Sequence, residues 1–135
     1  MTHWAMEYIG KPWESGASGP DAYDCWGLVR AVYRDRLGID LPIVDVDAHS
    51  VLAVRRALDR NPERSHWEEI TALEHMAAVD LGLGVKSHHV GIWLADSGVN
   101  GLLHCVEGQG VVFQSLSSLK MHGWNILSVN RRRHV

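Results

Sequence analysis

Apolar residues in the first part of the chain recur at helical spacing. One helix is predicted from Cys25 to Gly38, because Asp24 can cap its start and Gly38 can end it. Its apolar positions lie three and four residues apart: Leu28, Val29, Val32, Tyr33 and Leu37. The same pattern predicts a short helix over residues 2–10 and another over 48–60. Two Pro and several Gly and Ser residues indicate a loop at 11–23.

Beyond residue 60 the pattern changes to short alternating runs, which predict strands. A turn is expected at 96–101, and a short helical segment within 115–123. The predicted strands are 66–70, 76–84, 88–95, 102–107, 110–115 and 125–130. Helices followed by antiparallel strands predict an α+β fold, with the helices packed on one meandering sheet. The whole chain, 1–135, is expected to form a single domain.

Composition excludes several classes of protein. The 135 residues are 46% hydrophobic and 21% charged, which is ordinary globular usage with enough apolar side chains for one core. A net charge of −3 argues against binding of nucleic acid through phosphate neutralisation. No apolar run approaches the length of about 18 residues that a spanning helix needs, so no membrane insertion is expected. The first ten residues lack the pattern of a signal peptide, which predicts synthesis in the cytoplasm.

Cys25 is one of only two cysteines, and its position at a helix start suggests chemistry. Free backbone N–H groups and the helix dipole favour thiolate there. Its spacing to the apolar positions of the helix directs the side chain towards the sheet, where a nucleophile could meet a partner. A small buried hydrophobic residue is the commoner fate of a free cysteine, so Cys25 alone leaves both interpretations open.

Two of the nine histidines strengthen the catalytic interpretation. Strand alternation places His89 on one face with Gly91, and the glycine leaves space beside the imidazole. His104 alternates with Cys105, so the two point to opposite faces and Cys105 is expected in the core. Hairpin pairing can set His104 beside His89. A nucleophile, a base and an orienting group would then form a Cys–His–polar triad.

Other chemistry receives less support. His88 competes with His89 as the base but faces the other way, so it is expected to be exposed or structural. Zinc is disfavoured because short-spaced ligand pairs are missing and sequence neighbours lie on opposite strand faces. The residues that could ligate zinc are Cys25, His88, His89, His104 and Cys105. No phosphate-binding glycine motif occurs. No metal and no cofactor is therefore expected.

Several motifs together resemble one known family. The stretch "YIGKPWESGASGPDAYDCWGLVRAVYRDRLGIDLP" resembles the N-terminal half of NlpC/P60 cysteine peptidases, with a G-x-P-[YW] loop and a D-C-[SW]-G-L-V helix. "HHVGIWL" resembles the family's H-V-G-I strand, and "LLHC" resembles the strand with the third catalytic residue. Trp26 and "GIDLP" look most like the version encoded among phage tail and tail-tip assembly genes. "EHMAAVDLG" replaces the family's Gly-Asp stretch, which implies a reshaped edge of the cleft.

The resemblance implies a papain-like α+β fold and hydrolysis of peptidoglycan stem peptides, typically between D-γ-glutamate and meso-diaminopimelate. It implies that Cys25 is the nucleophile, His89 the base and His104 the orienting residue. Tyr23 would assist the oxyanion site together with the backbone N–H of Cys25. The same triad could also perform related amidase or acyl-transfer chemistry.

We therefore expect a cell-wall endopeptidase of a phage or prophage tail, made in the host cytoplasm without a signal peptide. Its expected partners are the stem peptide and the tail-tip or hub proteins, and it would act at the cell wall or in the periplasm. The alternative is a catalytically silent tail-tip structural protein that keeps the fold. In that case Trp4, Trp13 and Trp124 could anchor an interface, since Trp is common at binding hot spots.

Overall fold

The structure, a computed structural model, describes residues 3–43, 60–83 and 86–133. Within these residues one long helix, one short helix and two 3-10 turns accompany a six-stranded antiparallel sheet. The helices are α1 (Cys25–Leu37) and α2 (Leu116–Met121), and the 3-10 turns are Trp4–Glu7 and Pro62–His66. The strands are β1 (Trp67–Ile70), β2 (Ala78–Leu83), β3 (Lys86–Asp96), β4 (Val99–Val106), β5 (Gly110–Gln114) and β6 (Trp124–Arg132). The predicted α+β class is confirmed.

The long helix α1 has the ends that its sequence predicts. Asp24 is the N-cap, and its side chain accepts a hydrogen bond from the backbone N–H of Gly27. Gly38 ends the helix in the left-handed conformation, with φ of 68°. The predicted helix at 48–60 lies outside the described residues, apart from residue 60. No helix within the described ranges is long and apolar enough to cross a membrane.

The predicted short helix at 2–10 is smaller than its sequence suggests. It is a single 3-10 turn, Trp4–Glu7, and His3 caps it by accepting a hydrogen bond from the N–H of Ala5. Four residues form too few backbone hydrogen bonds to propagate a longer helix. The ring of Trp4 packs against the guanidinium of Arg36, with 4.8 Å between Cζ of Arg36 and the ring centroid. This cation–π contact holds the turn against α1.

The sheet differs from a simple meander. Its strand order is β1-β6-β2-β3-β4-β5, so the last strand lies between the first two. β6 has nine residues and pairs along both edges, with Leu81 opposite Ile126 on one side and Trp67 opposite Arg132 on the other. The prediction of one meandering sheet is therefore wrong for β6, because β6 pairs with β1 and β2 rather than with β5, the strand before it in the sequence.

The turn between β3 and β4 is tighter than the six residues predicted. Only Ser97 and Gly98 connect the strands, with φ of 48° and 80°. Such a pair of positive φ angles matches the twist of an antiparallel hairpin, so β4 begins already at Val99. The two-residue turn fixes which residues of β3 and β4 face each other.

The central strands divide their side chains between two cores. Ile92, Leu94 and Leu103 pack beneath α1 in one cluster. Trp93 and Leu102, which alternate with them, pack on the other face, and Leu119 of α2 belongs to that second cluster. Because side chains alternate along a strand, His89 lies on the same face of β3 as Trp93, and His104 lies on the same face of β4 as Leu102. Both histidines therefore point to the face of the second cluster.

Candidate active site

Asp24 fixes the start of α1, where Cys25 lies. Its Oδ1 accepts from the N–H of Gly27 at 2.6 Å and its Oδ2 from the N–H of Gly16 at 2.8 Å. Its own N–H donates to the carbonyl of Ala17 at 3.0 Å. Both carboxylate oxygens are thus used by backbone groups, so Asp24 holds the helix start to the preceding loop.

The Cys25 thiol is partly buried and lies against the backbone of β3. Burial, followed by the nearby Asp24 carboxylate, raises its pKa to about 11, although hydrogen bonds from backbone groups of Val90 and Trp26 and from its own backbone lower it. The expected thiolate is therefore not the resting form, because desolvation outweighs the helix start. Within the described ranges no hydrogen bond joins the sulfur to His89, and the sulfur reaches the strand at the next residue, Val90.

His89 and His104 are hydrogen-bonded to each other, with 2.8 Å between Nε2 of His89 and Nδ1 of His104. The β3–β4 register sets His104 opposite Gly91. A Cβ atom added at Gly91 would lie 2.8 Å from the Cβ of His104, so only glycine leaves room for this imidazole. The structure thus brings together the two histidines that strand alternation placed on one face. Their catalytic roles remain predictions.

Burial keeps both imidazoles neutral. It lowers the pKa of His89 to about 3, with a smaller contribution from His104 nearby. It lowers the pKa of His104 to about 4, although the hydrogen bond to Gln114 opposes this shift. Near neutral pH each ring therefore has one unprotonated nitrogen, which is what a proton acceptor needs.

Two residues of this site were missed by the sequence analysis. The ring of Trp124 stacks on His89, with 4.9 Å between centroids and 27° between planes, and meets His104 edge-on at 5.7 Å. Gln114 Oε1 lies 2.7 Å from Nε2 of His104. In β5, Gln114 has the same parity as Val112, the partner of His104. Strand alternation in the sequence shows that Gln114 and Val112 lie on one face, but only the register of the β4–β5 pair shows that this face is the one with His104.

Tyr23, assigned by resemblance to the oxyanion site, has a buried side chain. Its ring packs on Tyr8 with 5.9 Å between centroids, and its hydroxyl would lie 2.9 Å from a Cβ added at Gly19. Burial raises the pKa of its hydroxyl. The oxyanion role of Tyr23 stays a prediction.

Cys105 is fully buried in the cluster beneath α1, as strand alternation predicted. Its thiol donates to the carbonyl of Tyr23 at 3.1 Å. The side chain of His88 lies outside the described part of the structure. In the described ranges no group of three or more His, Cys, Asp or Glu side chains is arranged to hold a metal ion.

Folding stability is expected to decrease as the pH falls from 7 to 5. An unfolded histidine binds a proton below about pH 6.5, whereas folded His104 does so only below about pH 4. The unfolded chain therefore binds more protons in this interval, and His104 alone should cost about 2 kcal/mol of unfolding free energy at pH 5. Urea unfolding at pH 7, 6 and 5 measures this loss.

The matched control is His104→Gln, which keeps a polar side chain that does not titrate. Its unfolding free energy should depend on pH less steeply than that of the wild type, whatever its absolute stability. Equal slopes for the two proteins would show that His104 is not held neutral by the fold.

Comparisons with known proteins identify the family of this chain. The family model described as "NlpC/P60 family" matches residues 10–131. A crystal structure of a protein similar to a lipoprotein, of the NLP/P60 family, from Staphylococcus aureus subsp. aureus Mu50 superposes with a TM-score of 0.58 and 25% sequence identity. The alignment covers 97% of this chain and 39% of that protein. Comparison with curated protein sequences gave no match. This chain belongs to the NlpC/P60 family, whose members are generally cysteine peptidases of the cell wall.

Proposed function

We propose that this protein is a peptidoglycan endopeptidase of a phage or prophage tail that cleaves stem peptides through Cys25, His89 and His104. The observation that carries the proposal is the hydrogen-bonded His89–His104 pair beside the strand residue that Cys25 contacts. A thiol at a helix start and a neutral imidazole backed by a second polar side chain are the parts that cysteine peptidase chemistry requires.

The nucleophile begins as a thiol. In the reaction, the Cys25 sulfur attacks the peptide carbonyl while its proton passes to His89, and the oxyanion is met by the backbone N–H of Cys25. Hydrogen bonds between catalytic groups are often long or absent without substrate, so the approach of the sulfur to His89 belongs to the substrate complex. His89 then gives the proton to the leaving amine, which departs and leaves a thioester.

The second half of the reaction uses the same groups. His89 accepts a proton from a water molecule, the water oxygen attacks the thioester, and the sulfur leaves and takes that proton from His89 to recover the thiol. His104 stays hydrogen-bonded to His89 throughout and orients its ring. The stacking of Trp124 against His89 covers one face of the ring and restricts its rotation.

The substrate and the location rest on the resemblance. The NlpC/P60 motifs favour the amide between D-γ-glutamate and meso-diaminopimelate as the scissile bond. The phage-tail form is favoured by Trp26 and by residues 38–42. These two features contact each other, since the indole N–H of Trp26 donates to the carbonyl of Pro42 at 2.9 Å. The contact holds the segment after α1 beside the helix start.

Digestion of purified sacculi tests the activity. Sacculi with meso-diaminopimelate should release peptides with a new free amino group on that residue, identified by mass spectrometry. Sacculi with lysine at the same position are the matched substrate control for stem-peptide preference. No release above a buffer control contradicts the proposed function, and release at another bond contradicts the proposed specificity. Mass spectrometry of purified virions tests the tail location. If this chain is absent from the virions, the proposed location is wrong.

A further inference from the structure

Gln114 stands directly behind the histidine pair. Its Oε1 lies 2.7 Å from Nε2 of His104, and Nδ1 of His104 lies 2.8 Å from Nε2 of His89. Three side chains from three adjacent strands thus form one chain of hydrogen bonds that ends at His89. The far end is anchored on α2, where Nε2 of Gln114 donates to Oγ of Ser118 at 3.1 Å.

The direction of each hydrogen bond follows from the amide. An amide oxygen only accepts, so the atom facing Gln114 Oε1 must be an N–H of His104. A neutral imidazole has one proton, and burial keeps His104 neutral. Its Nδ1 is therefore an acceptor, and the proton between the two rings belongs to Nε2 of His89. His89 is then left with its lone pair on Nδ1.

We propose that Gln114 is a positioning residue that, acting through His104, keeps the proton of His89 on Nε2 and leaves Nδ1 free to accept the proton of Cys25. The inference rests on the proposed function for its catalytic meaning, but the protonation pattern is a property of the free protein. A reversed amide would invert every bond, protonate Nδ1 of His89 and remove its capacity as a base. The orientation of one amide thus decides the state of two imidazoles.

His122 does not compete for this amide. Its Nδ1 lies 2.8 Å from the backbone carbonyl of Ser118. A carbonyl can only accept, so Nδ1 of His122 carries a proton and donates it to this carbonyl. The same nitrogen lies 3.3 Å from Nε2 of Gln114, and because both nitrogens then carry protons and act as donors, no hydrogen bond joins them. The hydroxyl of Ser118 therefore remains the partner of the Gln114 amide nitrogen.

The first test reads the protons without any substrate. In the wild-type protein near pH 7, nitrogen-15 NMR of the histidine rings should show His89 and His104 both protonated on Nε2 and unprotonated on Nδ1. A proton on Nδ1 of His89 would overturn the proposal. Because this measurement needs no turnover, it stands or fails independently of peptidase activity.

Two variants separate positioning from packing. Gln114→Glu keeps an acceptor towards His104, so the ring protons should stay in place, and the carboxylate should move the acidic limb of the kcat/KM profile to higher pH. Gln114→Met keeps the size but cannot accept, so the rings should exchange between tautomers and kcat should fall by about 10- to 100-fold, with KM little changed. Gln109→Met, at the exposed turn between β4 and β5, is the matched control. It should change neither the tautomers of the two histidines nor kcat.

The outcomes discriminate clearly. Loss of stability in Gln114→Met with unchanged tautomers and kcat would make Gln114 a packing residue and overturn the proposal. Altered tautomers in Gln114→Met that are restored in Gln114→Glu would support it. If the wild type cleaves no stem peptide but shows the expected tautomers, the proposed function fails while the assignment of protons by Gln114 holds.

Discussion

Replacing Cys25 with serine is expected to lower kcat/KM for stem-peptide hydrolysis by about 10,000-fold or more, because the reaction loses its nucleophile. Serine is nearly the same size as cysteine and preserves the start of α1. Its hydroxyl has a far higher pKa than a thiol, and His89, whose pKa burial lowers to about 3, is a weak acceptor for that proton. The measurement is the rate of release of a defined muropeptide product.

Cys105→Ser is the control, since Cys25 and Cys105 are the two cysteines of the chain. A serine at position 105 can still donate to the carbonyl of Tyr23, as the thiol does. It should therefore retain activity within about threefold, in line with a change outside the reacting groups. More than a tenth of wild-type activity in Cys25→Ser would place the chemistry elsewhere, or show that the hydrolysis comes from a contaminant.

The pH dependence of Cys25 follows from its environment rather than from its position in the sequence. The helix start favours thiolate, which is all that the sequence could indicate. Burial depends on the residues that cover the sulfur, and it raises the pKa of the thiol to about 11. The proposed reaction therefore starts from a protonated thiol and a neutral imidazole, and proton transfer must accompany attack on the substrate.

Local signals predicted α1 and the pairing of the histidines. The ends of α1 follow from Asp24 and Gly38, which act on backbone groups within four residues. The meeting of His89 and His104 follows from strand alternation and a short turn between consecutive strands. Both depend only on neighbours in sequence, and for that reason they could be derived without the structure.

Features that depend on distant strands could not be derived. The insertion of β6 between β1 and β2 pairs residues that lie 41 to 65 positions apart in the sequence, and no local pattern determines that choice. Trp124 reaches His89 only because β6 takes this position. Gln114 required the register of a third strand. The sequence therefore predicts the meeting of the two candidate histidines better than the side chains that support them.

Gly27→Ala is expected to destabilise the protein by about 3 kcal/mol or more, which is the upper range for overpacking a close contact. A Cβ at position 27 would lie 1.9 Å from the carbonyl oxygen of Ala17 and 2.9 Å from Oδ1 of Asp24. Backbone must move to accommodate it, and the loop that Asp24 holds would be pushed away from α1. Urea unfolding at pH 7 measures the loss.

The sign of the change in unfolding free energy of Gly27→Ala distinguishes the effect of the contact with Ala17 from the effect of helix propensity. In an exposed helix alanine is favoured over glycine by about 1 kcal/mol, so propensity alone predicts stabilisation. Gly98→Ala is the control: it has φ of 80° but no atom within 4 Å of the added Cβ, and should cost only about 1 kcal/mol. An equal or smaller cost for Gly27→Ala would mean that the loop does not press on α1. A larger cost ties the position of Cys25 to a single missing side chain, because the residue two places after Cys25 must be small for the loop and the helix start to meet.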